Sequence, residues 1–197
     1  MVVDWHPLPA NGTARVVRGL LAVAPKADVT ARLNAVRAVG ASPAVVDVEG
    51  LALWNAYWAL VGSRQTVHGT ALLLNVGARS TNLVIASAPD ELLLVRDLRF
   101  GGRELEAGAE RDWAAEIQDS ISYARSRTGL RRLTAAYLTG GSSSSQLVPL
   151  LEGAAATPVT LWNPLEHLAR DPLCPLVEPS VGPLLAVAIG LALRQPS

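Results

Sequence analysis

Residues 70–102 read TALLLNVGARSTNLVIASAPDELLLVRDLRFGG. Three apolar runs in this stretch are separated by two short segments of turn-forming residues. The runs cover residues 70–76, 82–88 and 92–98, and the turn segments are GARS at 77–80 and PD at 89–90. Apolar runs of this length between glycine, proline and aspartate are typical of buried strands joined by tight turns. The stretch therefore predicts three consecutive strands.

Alternating helices and strands are predicted after residue 102. Leu105, Ala109, Trp113, Ile117 and Ile121 recur every four residues, which indicates a long helix over residues 103–127. The remaining elements are strands at 133–138 and 158–162, a short helix at 144–152 and a final helix at 182–194. The order βββαβαβα predicts an α/β fold with a mixed sheet that carries helices on both faces.

A partial repeat of this pattern is predicted before residue 65. A buried, apolar strand at 15–24 is followed by a helix that Asp28 can cap. A second strand at 43–48 leads into a helix at 49–61, with Leu53, Tyr57 and Leu60 on one side. The segment is thus a partial βαβα repeat that precedes the complete pattern.

Composition excludes several functional classes. The sequence carries 17 basic and 17 acidic residues without a block of like charge, which argues against a nucleic-acid-binding protein. Its one cysteine, Cys174, excludes an internal disulfide framework and fits a reducing compartment. Its three histidines lack the spacing of metal ligands. We expect no secretory signal at the start, and the apolar segment 184–193 is too short for a bilayer, which needs about 20 residues.

Several short motifs carry a family resemblance. NVGARSTN at 75–82 is similar to a D-I-G-A-x-x-T-N loop, and RDLRFGG at 96–102 is similar to an R-D-I-x-F-G-G segment. VAPK at 23–26, LTGG at 138–141 and AIGLALR at 188–194 match in the same order. In these motifs the chain resembles the PilM family of actin-like type IV pilus assembly proteins, and more distantly the cell-division protein FtsA. The resemblance covers nearly the whole chain.

The resemblance implies an actin-like fold, related to that of ribonuclease H. It assigns residues 1–65 to a remnant of the first actin-like subdomain and residues 66–197 to a complete second subdomain. The D-I-G strand-turn-strand that opens the family's fold has no counterpart in the sequence. We therefore expect the N-terminal part of the fold to be lacking.

The resemblance also implies a nucleotide site. The family's phosphate loop corresponds to Asn75, Gly77, Ala78, Arg79, Ser80 and Thr81, its adenosine loop to Gly140, Gly141 and Ser142, and its ribose-binding glutamate to Glu116. The residues themselves leave three other interpretations open. These are an ordinary hairpin turn, a helix-capping turn and a solvated helical glutamate, respectively.

Asn75 stands where the family has the aspartate that holds Mg²⁺. An amide keeps an acceptor oxygen but loses the charge, and Mg²⁺ prefers carboxylate oxygens and ordered water. We therefore expect ATP and Mg²⁺ to bind weakly or not at all in this chain. We also expect no catalytic residues and no ATP hydrolysis.

The resulting functional expectation is a cytoplasmic scaffold of type IV pilus assembly. The resemblance implies binding to the cytoplasmic tail of a PilN-like protein, so that the chain meets the inner membrane only through partners. Open strand edges in the N-terminal third predict a homo-oligomer. The alternative is an ATP-binding actin-like protein that couples nucleotide to pilus or secretion-system assembly, and an unrelated α/β binding protein is a third interpretation.

Overall fold

Two structural units, Met1–Val48 and Glu49–Arg194, make up the described part of the chain. The computed structural model describes residues 1–8, 19–64, 69–88, 91–169, 171, 173 and 178–194. Cys174, the predicted turn at 89–90 and residues 15–18 of a predicted strand lie outside this set. The assignment of residues 1–65 and 66–197 to two actin-like subdomains stays a prediction.

A two-stranded hairpin and one helix form the first unit. The strand β1 (Val2–Pro7) pairs antiparallel with β2 (Gly19–Ala24), so that Val3 lies opposite Val23 and Trp5 lies opposite Leu21. The helix α1 (Lys26–Ala38) follows directly after Pro25. In the described part of this unit, every residue is exposed or half-buried. The unit therefore has little apolar core of its own.

Three predictions for the first unit are wrong. The described part of the strand predicted at 15–24 is not buried, because β2 has one partner among the described strands and its residues alternate between exposed and half-buried. Residues 43–48 form no strand, because none of the described strands pairs with them, and Val45 and Val46 are exposed. Asp28 does not cap α1, because the helix already begins at Lys26.

A five-stranded mixed sheet forms the centre of the second unit. Its strands are β3 (Ala71–Val76), β4 (Thr81–Ala88), β5 (Glu91–Leu98), β6 (Ala135–Thr139) and β7 (Val159–Leu161), in the spatial order β5-β4-β3-β6-β7. The first three pair antiparallel as consecutive hairpins, whereas β6 joins β3 in parallel and β7 joins β6 in parallel. The predicted mixed sheet is confirmed, and with it the α/β fold class.

Helices cover both faces of this sheet. On one face, α4 (Glu110–Thr128) and α5 (Val148–Ala155) contribute to the main apolar core. On the other face, α2 (Glu49–Leu60) lies against Val84 and Val95. The last helix, α6 (Ala186–Ala192), packs on α2, where Gly190 meets the backbone of Ala52. The prediction of α2 is confirmed, with Leu53, Tyr57 and Leu60 buried.

Glycine and proline each divide a predicted helix into two shorter ones. The helix predicted over 103–127 consists of α3 (Gly102–Glu106) and α4, because Gly108 has a left-handed φ of 88° between them. The helix predicted over 182–194 is a 3-10 helix, Pro179–Leu185, followed by α6, because Pro183 has no N–H to donate. Further 3-10 helices are Gly62–Arg64, Ser145–Leu147 and Pro164–His167. Of the described helices, none combines the length and apolar character that a membrane span requires.

Candidate functional site

Three loops meet at the carboxyl end of β3. The turn at 77–80 is closed by a hydrogen bond from the amide of Gly77 to the carbonyl of Ser80, at 2.9 Å. The loop before α3 joins the turn through the amide of Gly102, which donates to the carbonyl of Gly77 at 2.8 Å. The loop after β6 joins through the amide of Ser142, which donates to the carbonyl of Val76 at 3.0 Å. Residues 76–81, 101–103 and 140–142 thus form one hydrogen-bonded loop cluster.

Two glycines allow the loop cluster to form. A Cβ at Gly101 would collide with the backbone nitrogens of Arg79 and Ser80. Gly140 has a φ of 102°, which favours glycine, and a Cβ there would collide with the backbone of Val76. A side chain at either position would therefore push the loops apart.

The 3-10 helix Pro179–Leu185 supports one side of the loop cluster. The amide of Gly140 and the hydroxyl of Thr139 both donate to the carbonyl of Pro183, at 3.1 Å and 3.2 Å. Leu184, which is exposed, lies beside Gly141. The loop that the family resemblance assigns to adenosine is therefore held by a segment far from it in sequence.

A row of polar residues crosses the sheet beside the loop cluster. Asn75 lies directly opposite Asn82 on β4 and Thr139 on β6, and Asn82 lies opposite Asp97 on β5. Direct partners on adjacent strands share a face, so these side chains point to the face that α2 covers. Glu49, the first residue of α2, reaches the same row.

Hydrogen bonds in this row run in one direction. The side-chain amide of Asn75 donates to the side-chain oxygen of Asn82 at 2.8 Å. The side-chain amide of Asn82 donates to Asp97 Oδ1 at 2.8 Å and to Glu49 Oε2 at 3.2 Å. Because ionised carboxylates only accept, they fix the orientation of the Asn82 amide, and Asn82 fixes that of Asn75. These four side chains form an amide ladder that leaves the oxygen of Asn75 beside Gly140.

In the amide ladder both carboxylates accept from the Asn82 amide and not from Asn75. Asn75 offers one neutral oxygen, and the carboxylates of Asp97 and Glu49 already accept from the Asn82 amide. Mg²⁺ is usually held by one or two carboxylates together with water. Within the described residues, no group of three or more His, Cys, Asp or Glu side chains could hold a metal ion. A metal role for Asn75 stays a prediction, and the residues around it are arranged for hydrogen bonding.

The hydroxyl of Thr81 is occupied by protein partners. It donates to the carbonyl of Phe100 at 2.7 Å and accepts from the indole nitrogen of Trp113 at 3.1 Å. Both Thr81 and Trp113 are fully buried. Thr81 therefore anchors the turn to α4, whereas Ala78 and Arg79 are exposed at its tip.

Glu116 lies on α4, which covers the face of the sheet opposite to Asn75. It forms a salt bridge with Arg96 of β5 at 3.3 Å. Arg96 lies opposite Leu83, the neighbour of Asn82, and therefore projects to the face that α4 covers. Glu116 and Asn75 thus lie on opposite faces of the sheet. The structure brings together the remaining predicted residues, which lie in the loop cluster or, for Asn75, directly beside it.

Sequence reasoning missed the partners of Asn75. One signal was available, because a four-residue turn places Val76 opposite Thr81 and hence Asn75 opposite Asn82. Asp97 could be found in the same way, because the predicted two-residue turn at 89–90 places Ala88 opposite Glu91 and hence Asn82 opposite Asp97. Glu49 could not be found, because it comes from a helix outside the sheet.

Comparison with solved structures gives an extensive match and more distant ones. No family model and no curated protein matches the sequence. A chain of a PilM-PilN type IV pilus biogenesis complex is 28% identical, with a TM-score of 0.76 over 99% of this chain and 67% of that chain. The ethanolamine utilization protein EutJ from Carboxydothermus hydrogenoformans is 13% identical, with a TM-score of 0.50 over 87% of this chain and 62% of its own. The archaeal actin homologue Ta0583 is 15% identical, with a TM-score of 0.48 over 77% of this chain and 55% of its own.

The strand order, the helices on both faces and the loop cluster define an actin-like fold. The particular likeness is to PilM. The family resemblance predicted from the sequence is confirmed by the similarity over 99% of the chain.

Proposed function

We propose that the chain acts in type IV pilus assembly as a PilM-like scaffold that binds the cytoplasmic tail of a PilN-like inner-membrane protein. The observation that carries this proposal is the similarity to a chain of the PilM-PilN complex over 99% of this chain. A distant match such as EutJ would support the fold alone, because one fold serves many functions. In this proposal the protein works at the cytoplasmic side of the inner membrane.

The amide ladder supports a scaffold over a hydrolytic enzyme. Phosphoryl transfer depends on positive charge at the transferred group, which a carboxylate-bound Mg²⁺ usually supplies. Here Asn75 is neutral, and the carboxylates of Asp97 and Glu49 bind the Asn82 amide. The ladder ties β3, β4, β5 and α2 together through hydrogen bonds and needs no cation to do so. This arrangement supports the proposal of a degenerate nucleotide site.

Nucleotide binding without hydrolysis is the second candidate function. It is favoured by the loop cluster, in which glycines bring three backbone segments together and Arg79 is exposed at the tip of the turn. Glycine-rich backbone of this kind can approach a phosphate or ribose closely. A thermal shift that grows with ATP concentration, both with Mg²⁺ and with a chelator, would support this candidate.

Calorimetry with a synthetic PilN-like tail tests the scaffold proposal. We expect saturable one-to-one binding with a Kd in the micromolar range, which corresponds to about −8 kcal/mol. A scrambled peptide of the same composition controls for charge and hydrophobicity and is expected not to bind. If the two peptides bind equally, or if neither binds to protein with a native near-UV spectrum, the proposal is wrong.

A further inference from the structure

Charge is segregated along α3, α4 and the segment that follows them. Residues 103–119 contain six acidic and two basic residues, whereas residues 120–151 contain four arginines and no acidic residue. The helix α4 has 19 residues and is about 28 Å long, so the two groups of charge lie toward its opposite ends. The formal net charge of the whole chain is zero, but the carboxyl end of α4 and the segment after it are strongly basic.

Four arginines, Arg125, Arg127, Arg131 and Arg132, form this arginine end. All four are exposed, and none has a carboxylate partner in the part of the chain that the structure describes. The guanidinium of Arg127 lies 5.8 Å from the centre of the Tyr123 ring. An aromatic ring carries no formal negative charge, so this contact does not neutralise the arginine. The arginine end is therefore a patch of unneutralised positive charge.

Stabilisation of the helix explains only half of this patch. Cations in the last turn of a helix interact favourably with its dipole, which accounts for Arg125 and Arg127. The effect falls off within that turn, and α4 ends at Gly129, which has a left-handed φ of 72°. Arg131 and Arg132 lie beyond this point, between the buried Leu130 and Leu133. Their charges therefore add to the patch without stabilising the helix.

We propose that the arginine end docks the protein directly on an anionic phospholipid surface. Clustered basic side chains are attracted to such surfaces, and each arginine adds to the attraction. Tyr123 is 54% exposed beside Arg127, and tyrosine is favoured where water meets lipid because one end of its side chain is apolar and the other polar. The acidic residues at the other end of α4 are repelled by the same surface, so the charge segregation also orients the molecule.

The proposed orientation leaves the loop cluster accessible. Arg131 and Arg132 precede β6, whereas Gly140 and Ser142 follow it, so the arginine end and the loop cluster lie at opposite ends of that strand. The patch has no buried polar group to recognise one fixed ligand, and its charges are spread around the end of a helix. Such spread charge suits a fluid surface with many mobile anionic groups better than a folded partner. The inference goes beyond the scaffold function and stands without the PilN-like tail.

Vesicle co-sedimentation of the full chain tests this inference in the absence of any peptide. The probes are vesicles that contain phosphatidylglycerol and vesicles of phosphatidylcholine alone. We expect binding to the anionic vesicles at low salt, loss of binding at high salt, and no binding to the neutral vesicles. The double variant Arg131→Gln/Arg132→Gln is expected to bind the anionic vesicles at least about tenfold more weakly than the unmodified protein.

A charge-matched control separates the patch from net charge. Arg99→Gln/Arg111→Gln removes two charges from exposed residues outside both the arginine end and the loop cluster, and is expected to bind like the unmodified protein. Equal loss in both double variants, binding to neutral vesicles, or no binding to anionic vesicles at low salt would overturn the inference. Self-association that is lost in Arg131→Gln/Arg132→Gln, without vesicle binding, would instead assign the patch to a second copy of the chain.

Discussion

Asn75 donates its side-chain amide to the side-chain oxygen of Asn82 at 2.8 Å, and this bond belongs to a ladder with a fixed polarity. The polarity originates at Asp97 and Glu49, which accept from the Asn82 amide. Asn82 is only 3% exposed, so water cannot easily replace a lost partner. An aspartate at position 75 would place a carboxylate oxygen against the side-chain oxygen of Asn82, and both atoms can only accept hydrogen bonds.

Asn75→Asp is therefore expected to lower the free energy of unfolding by about 1–3 kcal/mol, because a buried acceptor loses its donor and a third carboxylate joins two others. Urea denaturation measures the change. The substitution alone is not expected to create a Mg²⁺-dependent nucleotide site.

Adding Asp97→Asn to Asn75→Asp should rescue part of the loss. With an amide in place of the Asp97 carboxylate, β5 offers a donor, so that Asn82 can turn its oxygen toward β5 and its amide toward position 75, which reverses the ladder. A double-mutant cycle measures the coupling between the two positions. Additive losses in the cycle would show that the ladder has no set polarity.

Gly140→Ala is expected to destabilise the protein by about 2 kcal/mol or more, because a Cβ would meet the backbone of Val76 and the φ of 102° disfavours alanine. Gly153→Ala is the matched control. Gly153 lies in α5 with no atom near its missing Cβ, so alanine there should be neutral or stabilise by up to about 1 kcal/mol. A similar loss in both variants would argue against the close packing of the loop cluster.

Thr81→Val is expected to cost about 1–3 kcal/mol, since it leaves the buried indole N–H of Trp113 without an acceptor while keeping the shape of the side chain. Thr81→Ser retains the hydroxyl and should keep the hydrogen bond. The NMR signal of the Trp113 indole N–H provides a direct readout, because it should move in the valine variant and stay near its position in the serine variant. Movement of the signal only in the serine variant would contradict this account.

The antiparallel core of the sheet was predictable because its signals are local. Three apolar runs and a four-residue turn between Val76 and Thr81 suffice to place β3, β4 and β5 in order. Residues 43–48 were wrongly assigned to a strand, because Val45 and Val46 favour extended structure only where a partner strand is present. Glu116 was grouped with Asn75 by family resemblance. Its salt bridge to Arg96, together with the pairing of Arg96 with Leu83, shows that Glu116 lies on the opposite face of the sheet from Asn75.

The first unit is predicted to mediate self-association. Val3, Trp5, Leu21 and Val23 lie on one face of the hairpin, and each is at least half exposed. Light scattering at micromolar concentration should show a dimer or larger oligomer that Leu21→Glu shifts toward the monomer. Leu173→Glu, at a position that is 92% exposed in the second unit, should leave the size unchanged. A monomer at all concentrations would contradict the prediction.

The affinity of the PilN-like tail, measured with and without ATP and Mg²⁺, tests the central claim most directly. A scaffold without a nucleotide-dependent state should bind the tail with the same Kd in both conditions. Calorimetry in matched buffers gives both values on one preparation of protein. A Kd that changes fivefold or more with ATP and Mg²⁺, about 1 kcal/mol of coupling, would contradict the scaffold account and favour an ATP-coupled assembly protein.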